Sequence, residues 1–309
     1  MPNAATSVVI CAYTEERWDE LVAAVASAHA QTVPAREVIV VADHNDALLE
    51  RARRELPGTM VVANVRQQGL SGARNSGVAL ASGEVVAFLD DDAAAAPDWI
   101  ERLTAPFADA GVLGVGGAIE PRWLEGRPRA FPAEFQWVVG CSYEGMPDTP
   151  ARVRNVIGAN MAIRRDVFGR VGGFRTDIGR VGKRPLGCEE TELCIRAAQN
   201  MPGGVFLYEP RARVSHAVPG ARTTWRYFRS RCFSEGLSKA RVAALAGAGD
   251  GLSSERTYAT RTLPAGVRRG LGDARRGDPA GLARASAIVA GLAMTAAGYV
   301  AGTAREVWT

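Results

Sequence analysis

The chain is expected to fold as an α/β protein around a mostly parallel central sheet, and three observations carry that expectation. Short β-branched, apolar runs alternate with stretches of helical periodicity through the first third of the sequence. Several of those runs end on a carboxylate, which places acids along one rim of such a sheet. Finally, 309 residues that are 47% hydrophobic and 23% charged hold enough apolar material for a sizeable core, which excludes a disordered chain.

The elements follow in order. SVVICAY (7–13) is a buried-strand run, and after TEER the apolar residues Trp18, Leu21, Val22 and Val25 recur at helical spacing. QTVPARE breaks that helix, and EVIVVAD (37–43) is a second strand ending on Asp43. LLERARREL is helical, MVVANV strand-like, and SGARNSGVALA opens on a glycine-rich turn that runs into a helix. EVVAFLD (84–90) completes a fourth strand and leads into Asp90, Asp91 and Asp92.

Three adjacent carboxylates repel one another, and one tends to hold a proton unless a cation or a hydrogen-bonded ligand sits among them. Glu15, Asp43 and residues 90–92 all fall at the carboxyl ends of strands, where α/β sheets bind ligands. A metal carrying a diphosphate would supply the positive charge. Taken alone, the acids would also serve as caps for the following helices. Arg74 follows the glycine-rich turn at a helix start, where it would meet a phosphate oxygen or make a surface salt bridge.

Charge and cysteine usage narrow the classes further. The net charge of +4 conceals a tract, residues 211–284, with fifteen Lys and Arg against five Asp and Glu. No aromatic-interleaved or zinc-finger pattern accompanies it, so no nucleic acid is expected as a partner. An anionic membrane surface or a phosphate-bearing ligand suits the tract better, and a simple solvated basic face is the alternative. Cys11, Cys141, Cys188, Cys194 and Cys232 are scattered without a paired spacing, which argues against a disulfide scaffold or structural zinc. With no secretory pattern before VVICAY, the expected location is cytoplasmic, peripheral or weakly anchored at the cytoplasmic membrane face.

At this point the first half resembles the nucleotide-sugar-binding part of the family 2 glycosyltransferases, which have the GT-A fold. VVICAYTEE is similar to their opening strand and loop, QTVPAREVIVVAD to their second strand, and GLSGARNSGVALASGEVVAFLDDD to their turn, helix and DxD strand. The resemblance implies that Tyr13 stacks on the nucleotide base, with Glu15 lining the same pocket and Asp43 hydrogen-bonding the base. It implies that Asp90 and Asp91 belong to the donor site, that Asp92 holds a divalent metal (Mg2+ or Mn2+), and that Arg74 meets the diphosphate. Ala42 stands where the family usually has a first acid of an Asp-Asp pair.

Downstream, GCEETELCIRAAQN places Glu189, Glu190 and Glu192 in the first turn of an expected helix, where the dipole favours acids. The segment resembles the family's Glu-Asp-x-Asp-Leu motif, which implies that Glu190 is the catalytic base. Gly158-Ala159-Asn160-Met161 resembles the sugar-pocket turn and brings Asn160 into the donor set. His216 lies where some family members place a histidine near the metal, although a lone histidine after a strand is commonly structural. No Gln-x-x-Arg-Trp string of the processive synthases is present, which argues for transfer of one sugar, and the family resemblance implies that transfer inverts configuration.

The expected organisation is a glycosyltransferase domain over residues 1–218, with a nucleotide-binding half (1–111) and an acceptor-binding half (112–218), followed by a helical basic and apolar region (219–309). Within the latter, residues 223–245 read as an amphipathic helix with Trp225, Phe228 and Cys232 on one side. Residues 285–304 carry no charge over the length of a bilayer span, but Ala and Gly dominate, so membrane association is expected rather than a committed span. The donor is a nucleoside-diphosphate sugar, UDP-sugar being the first choice, and the acceptor a hydroxyl on a glycan, glycolipid or small molecule. Two alternatives stand beside this: a catalytically silent nucleotide-sugar or lipid-binding module, and a nucleotidyltransferase of related fold. The latter resembles a glycine-rich N-terminal loop that CAYTEER lacks.

Overall fold

Strand β1 (Thr6–Ala12) is buried along nearly its whole length, as the run VVI requires of a strand covered on both faces. It pairs in parallel with β2 (Glu37–Ala42) on one side and β4 (Val85–Asp90) on the other, and β2 pairs in parallel with β3 (Met60–Ala63). Three helices make the crossovers: α1 (Trp18–His29), α2 (Asp46–Glu55) and α3 (Leu70–Leu80). Asn45 caps α2 by accepting from the Leu48 backbone N–H, the helix-start role its short polar side chain suits. Helix α3 lies directly on β1, because a Cβ at Gly77 would stand 2.5 Å from a Val9 methyl.

Residues 4–180, 186–247 and 253–306 are described in this computed structural model. After β4 come β5 (Ala93–Ala95), α4 (Trp99–Thr104), β6 (Val112–Trp123), β7 (Ala151–Val153), β8 (Asn160–Arg164), α5 (Arg165–Val171), α6 (Glu189–Asn200) and β9 (Val205–Val218). The nine-stranded sheet runs β3-β2-β1-β4-β8-β6-β9-β5, with β7 alongside β9. The first four strands pair in parallel, while β4 with β8, β6 with β8, β5 with β9 and β7 with β9 are antiparallel. The chain leaves β1 towards β2 and β3, then returns to place β4 on its other side, so strand order reverses between β1 and β4, the usual place for a ligand crevice.

The chain divides into two compact units: one of residues 1–120, 147–184 and 189–216, the other of residues 121–146, 185–188 and 217–309. The first holds the sheet and a core that includes Val9, Ile39, Phe88, Met161 and Phe174. In the second, α7 (Trp225–Ala246) turns Phe228 and Cys232 inward and leaves Arg226 and Arg229 exposed. Residues 121–146 join these helices because Phe131 and Phe135 pack on Phe228, with ring centroids 5.8 and 5.3 Å away. Trp225 is half exposed and stacks on Phe228. Helix Leu263–Arg275 and the C-terminal helix Ala280–Glu306 complete the unit. None of the five cysteines forms a disulfide.

Candidate active site

Register brings the expected donor-binding residues to one rim. Ala12 pairs with Ala42, so Tyr13 and Asp43 leave adjacent strand ends, and Cys11 pairs with Asp90 on the other side of β1. The Asp43 backbone N–H donates to Ala12 O at 2.8 Å, holding the two loops together. Asp43 is buried: its Oδ1 accepts from Asn64 Nδ2 at 2.6 Å and its Oδ2 from the Gly69 N–H at 3.0 Å. It therefore ties the end of β2 to the turn that starts α3, while a carboxylate's further lone pairs leave it able to accept from a base. Asn64 also accepts from Ser76 and from the Arg66 N–H, a bracing role that its sequence context does not announce. Glu15, by contrast, is exposed and lies 3.6 Å from Arg51.

The three acids diverge once folded. Asp90 is partly exposed, whereas Asp91 and Asp92 are buried. Antiparallel pairing of β5 with β9 sets Ala93 opposite His216, and this delivers the imidazole to the neighbouring Asp92. His216 Nε2 is 3.0 Å from Asp92 Oδ1, and both groups are almost fully buried. Asp90, Asp92 and His216 offer ligand atoms that all lie within 4.8 Å of one another. A set of two carboxylates and an imidazole suits Mn2+ or Mg2+ with open positions left for a substrate. Arg17, absent from the expectations above, reaches into the same cluster: its Nη1 is 3.0 Å from Asp91 Oδ1 and 2.8 Å from Asp92 Oδ2. Its guanidinium also lies over the Tyr13 ring, 4.9 Å from the centroid.

The second acidic group is joined to the first by Arg74. This side chain is 2% exposed, lies against the Phe88 and Phe174 rings, and donates from Nη1 to Glu189 Oε1 at 2.8 Å. Its Nη2 is 3.5 Å from Asp90 Oδ1. Burial works against its charge, but Glu189, Asp90 and Glu190 outweigh that and hold the guanidinium above its ordinary range. Gly158 makes room for it, since a Cβ there would stand 2.5 Å from Arg74 Nη2. Glu189 and Glu192 are buried in the first turn of α6, Glu192 clamped by Arg196 through two contacts of 2.8 Å, and Glu190 between them is half-buried.

Asn160 needs correction. The expectation put it in the donor pocket, but it is fully buried, with Oδ1 accepting from Trp99 Nε1 at 2.7 Å and Nδ2 donating to Ala118 O and Ala212 O. Its amide is used up in holding β8, β6, β9 and α4 together. It supports the rim from within and presents nothing to a ligand.

Comparisons with known proteins agree with this architecture. The family model described as Glycosyl transferase family 2 matches residues 7–172, more than half of the chain. The chain is 36% identical over 237 residues to Glucosyl-dolichyl phosphate glucuronosyltransferase of Haloferax volcanii, covering 75% of each protein. Among solved structures, it is similar to mannosyltransferase PcManGT from Pyrobaculum calidifontis in complex with GDP-Man and Mn2+, with a TM-score of 0.56 and 18% identity over 95% of this chain and 87% of that one. It is also similar to GalNAc-T7 with UDP, GalNAc and Mn2+, with a TM-score of 0.52 and 23% identity over 70% of this chain and 43% of that one. Both likenesses bear on the fold, which is the GT-A type. Acids delivered by register to the β1/β4 crevice, a helix start joined to them by Arg74, and a family match over residues 7–172, which takes in those acids and Arg74, lead to one identification: the chain is a glycosyltransferase of family 2.

Proposed function

We propose that the protein moves a single sugar, with inversion, from a nucleoside-diphosphate sugar to a hydroxyl of a membrane-borne glycolipid. The observation that carries the donor half is the convergence of Asp90, Asp92 and His216, with Arg74 joining that group to the start of α6. Asp92 and His216, with Asp90, would hold a divalent cation, which when bound supplies positive charge against the diphosphate. Arg74 orients the leaving group from a buried position where its field is little screened. Tyr13 and Asp43 bind the base, and Glu15 lines the mouth of that pocket. Glu190, half-buried at the N-terminus of α6, takes the acceptor's proton as the hydroxyl attacks the anomeric carbon. The retained carboxylates at 92 and 190 favour an enzyme over a silent sugar-nucleotide-binding module. A UDP-sugar remains the first donor to try, with a GDP-sugar second because PcManGT was solved with GDP-Man.

The acceptor half rests on the C-terminal helix of the second unit. It is the one described helix long and apolar enough to cross a membrane, with a mean hydropathy of 1.5. At about 1.5 Å per residue its length is ample for a ~30 Å hydrocarbon layer. Its outer face is apolar as well as its inner one, where Ile288 is 2% exposed. Glycines face the protein: a Cβ at Gly298 would stand 2.0 Å from Phe233 O, and one at Gly302 would stand 2.6 Å from the Ala240 Cβ. Leu282, Val289, Leu292 and Val300 face outward, between 41% and 66% exposed. Small residues at the helix contact and apolar ones outside are the arrangement a lipid-facing helix adopts. Arg268, Arg269, Arg275 and Arg276 are exposed nearby in sequence, where anionic headgroups would be attracted, while the arginines of the unit's cleft of about 400 Å³ (Arg127, Arg129, Arg269 and Arg284) are largely balanced by Glu134, Glu144 and Asp273 in the same lining. The Haloferax relative, named for a dolichyl-phosphate acceptor, supports the same acceptor class.

The test is a transfer assay with Mn2+ and a panel of nucleotide sugars against lipid-linked acceptors, run with Glu190→Gln. Turnover should fall roughly 10²–10⁴-fold while donor binding, read by thermal stabilisation, stays near normal. Equal loss of donor affinity, or retained turnover, would place the base elsewhere.

A further inference from the structure

Arg17 ends a single 3-10 turn, Glu15–Arg17, that begins directly after β1 and is capped by Thr14. Its side chain is only 20% exposed, and one terminal nitrogen is shared between two buried carboxylates, Asp91 and Asp92. Asp92 is thereby held at both oxygens, by Arg17 at Oδ2 and by His216 at Oδ1. The same guanidinium covers one face of Tyr13. Arg17 thus touches the acid that is to hold a cation and the ring that is to stack on a base.

A guanidinium and a divalent cation draw on the same carboxylate charge, and a ring face covered by a guanidinium is closed to a base. We infer that Arg17 is the competing internal counter-ion of the donor site, displaced when cation and nucleotide enter, so that the two ligands assist each other through it. A cation at Asp92 weakens the hold of Asp91 and Asp92 on Arg17, which loosens its cover over Tyr13. A base stacked on Tyr13 loosens Arg17 from the acids. By linkage, each ligand then raises the affinity for the other by the same factor. The inference rests on the donor-site reading above and adds a residue to it. Displacement is a side-chain movement, because the Arg17 backbone is fixed at the N-cap position of α1 while its head can swing on a long side chain.

The experiment measures Mn2+ binding to the full chain without nucleotide, from the free-ion electron paramagnetic resonance signal, for wild type, Arg17→Gln, Arg17→Lys and Asp92→Asn. Removing a charge-assisted contact from the competing side should tighten Mn2+ binding about tenfold or more in Arg17→Gln, with a smaller gain in Arg17→Lys. The enhancement of UDP affinity by Mn2+, measured by calorimetry, should shrink in Arg17→Gln. If both arginine variants bind Mn2+ as wild type does, or more weakly, the inference is overturned. Should Arg17→Gln not fold, Arg17→Lys decides alone, since an ammonium cannot make the same shared contact and over-ring cover. Asp92→Asn separates the two readings. Loss of Mn2+ binding there with no change at Arg17 removes only this inference, whereas unchanged binding removes the cation site itself.

Discussion

Glu189→Ala should be the most damaging single substitution in the acidic first turn of α6, for a reason of charge burial. Glu189 is 3% exposed and Arg74 is 2% exposed, and their contact is 2.8 Å. Without Glu189, the guanidinium keeps only Asp90, at 3.5 Å and a third exposed, and the field of the half-buried Glu190. Breaking one side of a buried pair leaves an uncompensated charge and costs about 3–5 kcal/mol. The first unit has the size of a domain in which each kcal/mol moves Tm by about 2–4 °C, so its transition should fall by roughly 10 °C. Differential scanning calorimetry reads this directly. The double variant Arg74→Met with Glu189→Leu replaces the pair by apolar groups of similar length, and should recover much of the loss while abolishing donor binding. A fall of under about 2 °C in Glu189→Ala, or no recovery in the double variant, would refute the buried-pair account. It follows that Glu189 variants are poor controls for Glu190, because they disturb Arg74 as well as the helix start.

Two further outcomes follow from the second unit. Burial alone would raise the Glu235 carboxyl, but Arg231 and Lys239 at 2.9 and 3.5 Å, with the Cys188 thiol donating, hold it below the ordinary 4.5. A depressed folded-state value means stability present above the unfolded value and lost as pH falls through the folded one, so thermal stability should drop on acidification below about pH 4.5. Glu235→Gln should flatten that part of a Tm-against-pH curve. On the C-terminal helix, Val289→Glu with Val300→Glu places charges on the outward face, so the fold should hold by circular dichroism while flotation with anionic vesicles drops several-fold. Flotation equal to wild type would remove the lipid-facing reading.

The first four strands and their crossovers were legible because each is a local pattern: unbroken β-branched runs, helical periodicity, and turn residues between them. The acids at Asp43 and residues 90–92 were legible for the same reason, since parallel strands of similar length end at one rim. What the pattern concealed is held by contacts between distant parts of the chain. Arg17 meets Asp92 across 75 residues, Trp99 meets Asn160 across 61, and Arg74 meets Glu189 across 115. No local rule tells an arginine in TEER from any other exposed loop charge. Nor does the asparagine of a turn show whether its amide faces a sugar or three carbonyl and indole partners inside the sheet. The antiparallel half was likewise concealed, because β6 and β9 are long strands whose partners are chosen by packing rather than by a crossover helix.

The acids of α6 show how tertiary structure divides what sequence treats alike. The helix dipole favours Glu189, Glu190 and Glu192 equally, so a helix-start preference accounts for all three and distinguishes none. Folding gives Glu189 to Arg74 and Glu192 to Arg196, each in a buried, charge-compensated contact that keeps its carboxylate from a substrate. Glu190, between them, retains access to solvent at the point where the positive end of the helix meets Arg74 and Asp90. A general base needs reach to the acceptor proton together with a setting that stabilises its charged form until attack. Of the three, Glu190 alone is more than marginally exposed, and this difference supports its proposal as the base beside its match to the family motif.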